Sequence, residues 1–573
     1  LISSDLLPAE WLLVVMALSA LSTCWCWGMP FALLRTEIQL NTRARRFFSD
    51  VVTNSQMDWN GGRVIKYLNI KQNAAESRVY DSEIGVTEQK STGFSSSFRD
   101  IHRTVDKFVQ YTTSIAELFF HDNSDQLFVP YTSLIQSSGY GKTRLVLEAS
   151  KRMPTMYVCF RDESSSGFPP RTIDAVASLF DGLSNIDPTA YVGVLADRIG
   201  LAVVHGRKLG LLDPMGVDFK STTTSWAWDL RATDELEGFK TLGSKNRSQF
   251  LPVLLVFDEA GITTSTFPIL EYDVSQFRLI RRALKVCSER YPRLSFVAVF
   301  VDTTSRLSDF SPPASKDVSS RREGQMGLFE PFVLRGSYNV FFRPLTEQVS
   351  DWSVFVTSSD YLLAGRPLTA MTCGVITEDL KFLSCKLNCG LVLAEQGNGA
   401  LSHMLCRLGS FVDPHARLAG QLVAENMATL ISVSHDRERM MVMYLPEPKL
   451  AIAAARKWNH EGLFCNALVP SLQTALASGA VTAGARGELA AQITVLRAFD
   501  AVSIERTGVA GAAVPLIEVL TQLLPPGADV DLKQVVPLDL HDAQVACAQF
   551  VSIDYKLDLE TLTELARLHC GVV

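Results

Sequence analysis

The chain lacks most of the features that would reveal a function by composition alone. Its 573 residues hold 11 cysteines without dense regular spacing, which excludes a disulfide scaffold and fits reduced intracellular thiols. No sign of charge is in excess: 54 Lys and Arg against 61 Asp and Glu leave a net charge of −7. That balance excludes a chain-wide electrostatic grip on nucleic acid, because such binding is driven by neutralising phosphates; only local basic faces remain. There is no internal repeat, low-complexity tract, Ser-His-Asp constellation or C-x-x-C knuckle. Cys385, Cys389, His403 and Cys406 are spaced in a way that raises zinc, but they sit in apolar, helix-like sequence. The adopted reading is buried thiols with a core or capping histidine. A hydrophobic fraction of 47% with 20% charged residues is ordinary for a chain of several globular domains.

The N-terminus lacks a Met and a basic leader. The sequence begins at Leu1 and reads as a fragment or a processed chain. Trp11 to Leu34 is a run of 24 residues without a charge, long enough to span a bilayer. Arg35, Arg43, Arg45 and Arg46 behind it favour a cytoplasmic C-terminal side. Residues 1–50 are thus expected as a membrane or anchor segment on an intracellular protein. A buried helical hairpin around Gly28 and Pro30, or a mispredicted exon, are the alternatives.

What is present is concentrated in the middle. Ser137-Ser138-Gly139-Tyr140-Gly141-Lys142-Thr143 lies between the apolar run Leu127 to Ile135 and the helix-prone run Arg144 to Lys151. A loop of this kind can turn backbone N–H groups around phosphate oxygens. Its Lys neutralises the β- and γ-phosphates, its hydroxyl meets Mg²⁺, and the following helix N-terminus favours the anion. Ser138, Gly139, Tyr140, Gly141, Lys142, Thr143 and Arg144 are the candidate ATP or GTP contacts. One departure stands out: Gln136 occupies the position where the pattern G-x-x-x-x-G-K-[ST] has its first glycine.

Leu251 to Phe257 is a continuous apolar run of buried-strand length ending in Asp258-Glu259. This is a Walker B arrangement, in which Asp258 joins Thr143 in holding Mg²⁺ and Glu259 orients or deprotonates the attacking water. Leu294 to Val301 is a third such run and ends in Asp302-Thr303-Thr304-Ser305-Arg306. It resembles the sensor position of additional-strand P-loop ATPases, with Thr303 or Thr304 as the residue that senses the γ-phosphate. Thr155 to Arg161 is the remaining core strand. Helices are expected at Thr172 to Leu183, Ala190 to Leu211 and Arg278 to Arg293. The last carries six basic residues against Glu289 alone, which suits a solvated face or, less simply, an arginine finger or nucleic-acid face.

Beyond residue 345 the sequence reads as largely helical. Tyr361 to Leu368, with Gly365-Arg366-Pro367, is similar to the Gly-x-Pro element of the lid in signal-transducing (STAND) ATPases, which implies that Arg366 reaches a phosphate. The alternative is a plain helix boundary. Taken with Gly484-x-Arg486-Gly487-Glu488-Leu489, the order of motifs resembles large fungal proteins related to Crinkler-type effectors over residues 100–573. In that group Gln at the first loop position is part of the pattern, and a P-loop ATPase is followed by a restriction-endonuclease-like domain. The resemblance implies Glu488 as a nuclease metal residue whose partners lie further downstream. Asp554-Tyr555-Lys556 only superficially matches such an element, so no nuclease activity and a poorly packed terminal segment are expected.

The resulting expectation is an α/β chain: a parallel P-loop NTPase sheet of the additional-strand class at 126–345, preceded by a helical lead-in at 51–125. A helical lid follows at 346–470 and a C-terminal α or α/β partial domain at 471–573. The expected partners are a nucleotide with Mg²⁺, a membrane through residues 11–34, and a protein partner or second copy. Function is expected as nucleotide hydrolysis controlling the appended domain, the alternative being a nucleotide-binding scaffold without turnover.

Overall fold

A computed structural model describes residues 99–122, 127–162, 169, 171–183, 186–209, 236, 251–264, 266–269, 272–302, 327–342, 360–371, 376–389, 397–482, 486–525, 528, 530–551 and 570–572. The run at 11–34, the polar insert at 213–248 save Leu236, Thr303, Thr304 and Asp554 to Lys556 lie outside the described residues. No helix among the described residues is long and apolar enough to cross a membrane.

The apolar runs become strands of one sheet. These are β1 (Tyr131–Ile135), β2 (Thr155–Cys159), β3 (Val253–Asp258), β4 (Phe296–Asp302) and the short β5 (Phe332–Val333). Their order is β2-β3-β4-β1-β5, and every pairing is parallel. All residues of β1 to β4 are buried. Parallel strands covered on both faces need apolar side chains at every position, so they read as unbroken runs rather than alternating ones. β1 is shorter than the run Leu127 to Ile135 because Pro130 offers no N–H to the ladder, and Leu127 makes only an isolated bridge to Gly327. Phe257 stacks on Phe300 with ring centroids 5.1 Å apart, and Phe277 meets Phe300 edge-on at 4.9 Å. This aromatic seam ties β3 and β4 to the helix above them.

The sheet is served by α1 (Thr104–Glu117), α2 (Lys142–Ala149), α3 (Ile173–Phe180), α4 (Pro188–Leu209) and α5 (Gln276–Arg290). α4 and α5 pack against each other. The basic helix α5 is not simply a solvated face: Arg281 is buried, with its guanidinium over the rings of Phe128, Tyr131 and Phe277. Arg290 pairs with Asp197 of α4. An antiparallel hairpin, Thr266–Ile269 with Tyr272–Ser275, precedes α5.

The remainder has its own core. It is built from α6 (Pro367–Met371), α7 (Ile376–Leu387), α8 (Asn398–Leu405), α9 (Arg417–Glu425), α10 (Pro448–Trp458), α11 (Val469–Ala477), α12 (Arg486–Thr507) and α13 (Leu516–Leu523). Leu383, Met404, Leu422, Trp458, Leu468, Leu496, Phe499, Val514 and Ala548 belong to one buried cluster, so residues 380–475 and 489–548 share a single interior. The 470/471 boundary falls inside α11, and the expected poor packing of the terminal segment does not hold for 489–548. This part is also less purely helical than the sequence suggested. Among its strand pairs is the hairpin Thr429–Val433 with Met440–Met443.

Candidate functional site

The loop after β1 is shaped by two glycines. Gly139 and Gly141 have φ of +87° and +82°, a left-handed backbone that other residues adopt only at a cost. At Gly139 a side chain is excluded twice over, since a Cβ would lie 2.6 Å from Cβ of Leu368. That close approach lets the Leu368 N–H donate to the Gly139 carbonyl (3.1 Å), seating α6 on the loop.

Gln136 explains its departure from the usual glycine. It is fully buried, and its amide donates to the carbonyls of Leu334 and Leu430, both at 3.0 Å. Its oxygen accepts from the N–H groups of Ser137 (3.0 Å) and Leu430 (2.9 Å). The side chain thus meets its full donor and acceptor capacity. It stitches the loop to the segment after β5 and to the 429–433 strand of the second core. Tyr140 adds to this seam: its hydroxyl bonds Thr429 Oγ1 (2.6 Å), and its carbonyl accepts from Ser337 (2.7 Å). Burial pushes the Tyr140 phenol well above its usual range.

Lys142 and Thr143 open α2. The Lys142 ammonium is buried and donates to the carbonyls of Gln136 (2.5 Å) and Ser137 (3.1 Å). Burial lowers its pKa to about 8, with the charges of Glu259, Asp302 and Asp258 opposing that fall. Among the described residues this buried ammonium hydrogen-bonds only neutral carbonyls, which leaves it suited to receive an anion's oxygens. Thr143 Oγ1 donates to Asp258 Oδ2 at 2.8 Å, although β4 separates their strands. Tyr157 of β2 donates to the same carboxylate oxygen, and the Glu259 N–H donates to Oδ1 (2.8 Å).

Glu259 follows β3 in a left-handed conformation, with φ 53°. Its carboxylate pairs with Arg161 at the end of β2. Its pKa is raised by burial and by the neighbouring Asp258 charge, against the opposing pull of Arg161. Asp302 ends β4 directly opposite Ile135 of β1. It is buried and close enough for its charge to act on Lys142. Sequence reasoning looked one and two residues further on, to Thr303 and Thr304, which lie outside the described residues; the signal for Asp302 was its place directly after the apolar run.

Arg366 reaches the loop but from its protein side. The residue is fully buried and ion-paired with Glu447 (2.6 Å), itself 1% exposed. Nη1 donates to Ser137 Oγ (3.0 Å) and the Ser138 carbonyl (2.9 Å), Nη2 to the Met427 carbonyl and Glu447, and Nε to Glu447. The guanidinium also stacks over Tyr140 at 4.9 Å. All five N–H donors therefore face protein acceptors, which makes Arg366 a brace for the loop in this conformation. Burial works against its charge, but Glu447 outweighs that and holds the pKa above its ordinary value. Gly365 takes φ +106°, and a Cβ there would meet Glu447 at 2.8 Å. Arg144 turns along α2 to Glu148 (3.0 Å).

The other candidates do not gather. Among the described residues no group of three or more His, Cys, Asp or Glu is placed to hold a metal ion. His403 is buried between Ser384 Oγ (3.2 Å) and the Gly399 carbonyl (2.8 Å). Cys406 is buried, but Cys385 and Cys389 are exposed, contrary to the reading of buried thiols. Glu488 lies half-buried in the first turn of α12.

Residues 100–190 and 218–335 match the model of a domain of unknown function (DUF8735), and residues 394–573 match that of a second domain of unknown function (DUF8736). The first match holds all five strands and the glycine loop; the second holds Met427, Thr429, Leu430 and Glu447, which contact the loop or its brace; Arg366 falls between them. The search of curated proteins gives no match.

Proposed function

We propose that the chain binds ATP or GTP with Mg²⁺ at the loop after β1 and hydrolyses it to control the second core. The observation that carries this is the 2.8 Å bond between Thr143 and Asp258, residues 115 apart in sequence. A hydroxyl and a carboxylate side by side are hard oxygen donors of the kind Mg²⁺ takes along with phosphate oxygens and water, so the residues fit that ion. The sheet supports the finer assignment to additional-strand P-loop NTPases: β4 stands between the loop strand β1 and the acid strand β3.

In this reading Lys142 exchanges its two loop carbonyls for β- and γ-phosphate oxygens, which gives a buried cation direct charged acceptors in place of neutral ones. Thr143 and Asp258 would hold Mg²⁺, which would supply charge neutralisation to the phosphates when bound. Glu259 orients or deprotonates the attacking water. Asp302, at the end of β4 and near enough for its charge to act on Lys142, stands directly before the expected sensing residues Thr303 and Thr304. The second core feels the loop through Gln136, Tyr140 and Arg366, so a loop that changes with the γ-phosphate biases how that core sits, as in other nucleotide switches. Such control of an appended module agrees with the Crinkler-like order of motifs.

The test is nucleotide turnover by the whole chain. Wild type releases phosphate, Lys142→Ala neither binds nor turns over, and Glu259→Gln binds without turnover. Equal turnover in wild type and Glu259→Gln removes the proposed role of the acid. Binding without turnover has one observation in its favour, the engagement of Glu259 by Arg161.

A further inference from the structure

The Asp258 carboxylate is nearly full before any ligand arrives. Oδ2 accepts from Thr143 Oγ1 (2.8 Å) and from the Tyr157 phenol, and Oδ1 accepts from the Glu259 N–H (2.8 Å). An ionised carboxylate has about four lone-pair sites, two on each oxygen. Donors among the described residues therefore take both sites on Oδ2 and one on Oδ1, which leaves Oδ1 with room for a single further contact.

Two of these donors come from the loop and from the next residue in the chain, but Tyr157 comes from another strand. Register pairs Tyr157 with Val256 and Cys159 with Asp258, and residues two apart on a strand share a face. The phenol thus lies diagonally across from the acid. Tyr157 is 4% exposed and stands in the middle of a strand buried throughout, so its hydroxyl is held in one place. A buried tyrosine needs a partner for that hydroxyl, and here the partner is the carboxylate proposed to hold the metal.

The consequence lies in which cation such a carboxylate suits. Ca²⁺ takes many oxygens in a flexible shell and often both oxygens of one carboxylate. Mg²⁺ demands a near-ideal octahedron, keeps several waters and takes few carboxylate contacts. An acid whose Oδ2 is filled cannot give both oxygens to one ion.

We propose that Tyr157 sets the cation preference of the site: with Thr143 it fills Oδ2, so that Asp258 offers one contact, which suits Mg²⁺ and handicaps Ca²⁺. This rests on the reading of the loop as a site for nucleotide and Mg²⁺. It makes a demand that a merely structural tyrosine does not meet: losing the phenol must change the ratio of two affinities.

The experiment measures, by calorimetry, the affinity of the full chain for ATP and GTP with saturating Mg²⁺ and with saturating Ca²⁺. The proteins are wild type, Tyr157→Phe, Tyr157→Met and Lys142→Ala, each with its melting temperature taken without ligand. Wild type is expected to bind nucleotide about tenfold or more tightly with Mg²⁺ than with Ca²⁺. Tyr157→Phe and Tyr157→Met are expected to narrow that preference about tenfold, the scale of losing a partner that orients a metal ligand. Tyr157→Met carries the reading if Tyr157→Phe fails to fold. Wild type that binds equally well with the two cations overturns the proposal without recourse to any variant. Folded variants in which the two affinities fall together, or stay unchanged, overturn it as well and leave the phenol a packing role. In both cases a loss of binding in Lys142→Ala keeps the nucleotide site standing. If Lys142→Ala binds as well as wild type, the site reading falls and the proposal with it.

Discussion

The two cores treat buried charge in opposite ways. In the second core, Arg407 and Asp500 have no exposed side-chain surface and form two bonds of 2.7 and 2.9 Å. Arg407 also donates to the Ala548 carbonyl and lies over Trp458, and Asn459 donates to Asp500. At the carboxyl edge of the sheet, Arg161 and Glu259 pair in partial contact with solvent, and Lys142 bonds only neutral carbonyls. A sealed pair with every partner in place fixes a structure. An open cluster of charges around a loop is free to exchange partners, which is what a ligand site requires.

The largest expected effect breaks the sealed side. Arg407→Ala leaves Asp500 buried with its main partner gone, and chemical denaturation of the second core is expected to show a loss of about 3–5 kcal/mol. Nucleotide affinity stays near wild type if the cores divide as described; a loss under about 1 kcal/mol would mean that the pair is not sealed in solution. Next comes the open side, where Glu259→Gln is expected to cut kcat by about 10² to 10⁴ while leaving the melting temperature unchanged. A large stability loss there would show a structural role instead.

Third, the pH dependence of the second core follows from His403. Burial lowers its pKa from 6.5 to about 4, so between those values the unfolded chain takes up a proton that the folded chain refuses. Its stabilising contribution is complete above pH 6.5 and is lost as pH falls toward 4, on the order of 3 kcal/mol in all. Denaturation midpoints measured across that window are expected to flatten in His403→Asn relative to wild type. The smallest effect tests the seam itself: Gln136→Gly restores the usual loop residue but removes the bonds to Leu334 and Leu430, and is expected to cost about 2 kcal/mol. If melting temperature and nucleotide affinity both stay unchanged, the stitch between loop and second core carries no weight.

Much of the sheet was legible because buried parallel strands announce themselves as unbroken apolar runs, and Asp258 and Lys142 sit where those runs stop. Less could be read where the signal depends on distant partners. Nothing local to Gln136 says that it will pair with Leu430, 294 residues away. The 429–433 strand sits in sequence that reads as helical surroundings; its cue was the short apolar run Met440 to Met443 after the polar turn at His435 to Glu438. Arg366 was found by its Gly-x-Pro setting, but its orientation was set by Glu447, which no spacing rule connects to it. Arg281 likewise read as one charge among several on a basic helix, and only the folded arrangement brings Phe128, Tyr131 and Phe277 beneath it.

The central claim, that the open cluster around the loop is a nucleotide site, is tested most directly by calorimetric titration of Mg-ATP and Mg-GTP into the full chain and into Lys142→Ala. The account predicts saturable, Mg²⁺-dependent binding of at least one nucleotide to wild type, weakened about 100-fold or more in Lys142→Ala, equivalent to about 3 kcal/mol. Equal affinity in the two proteins, or heat of binding in neither, would contradict it.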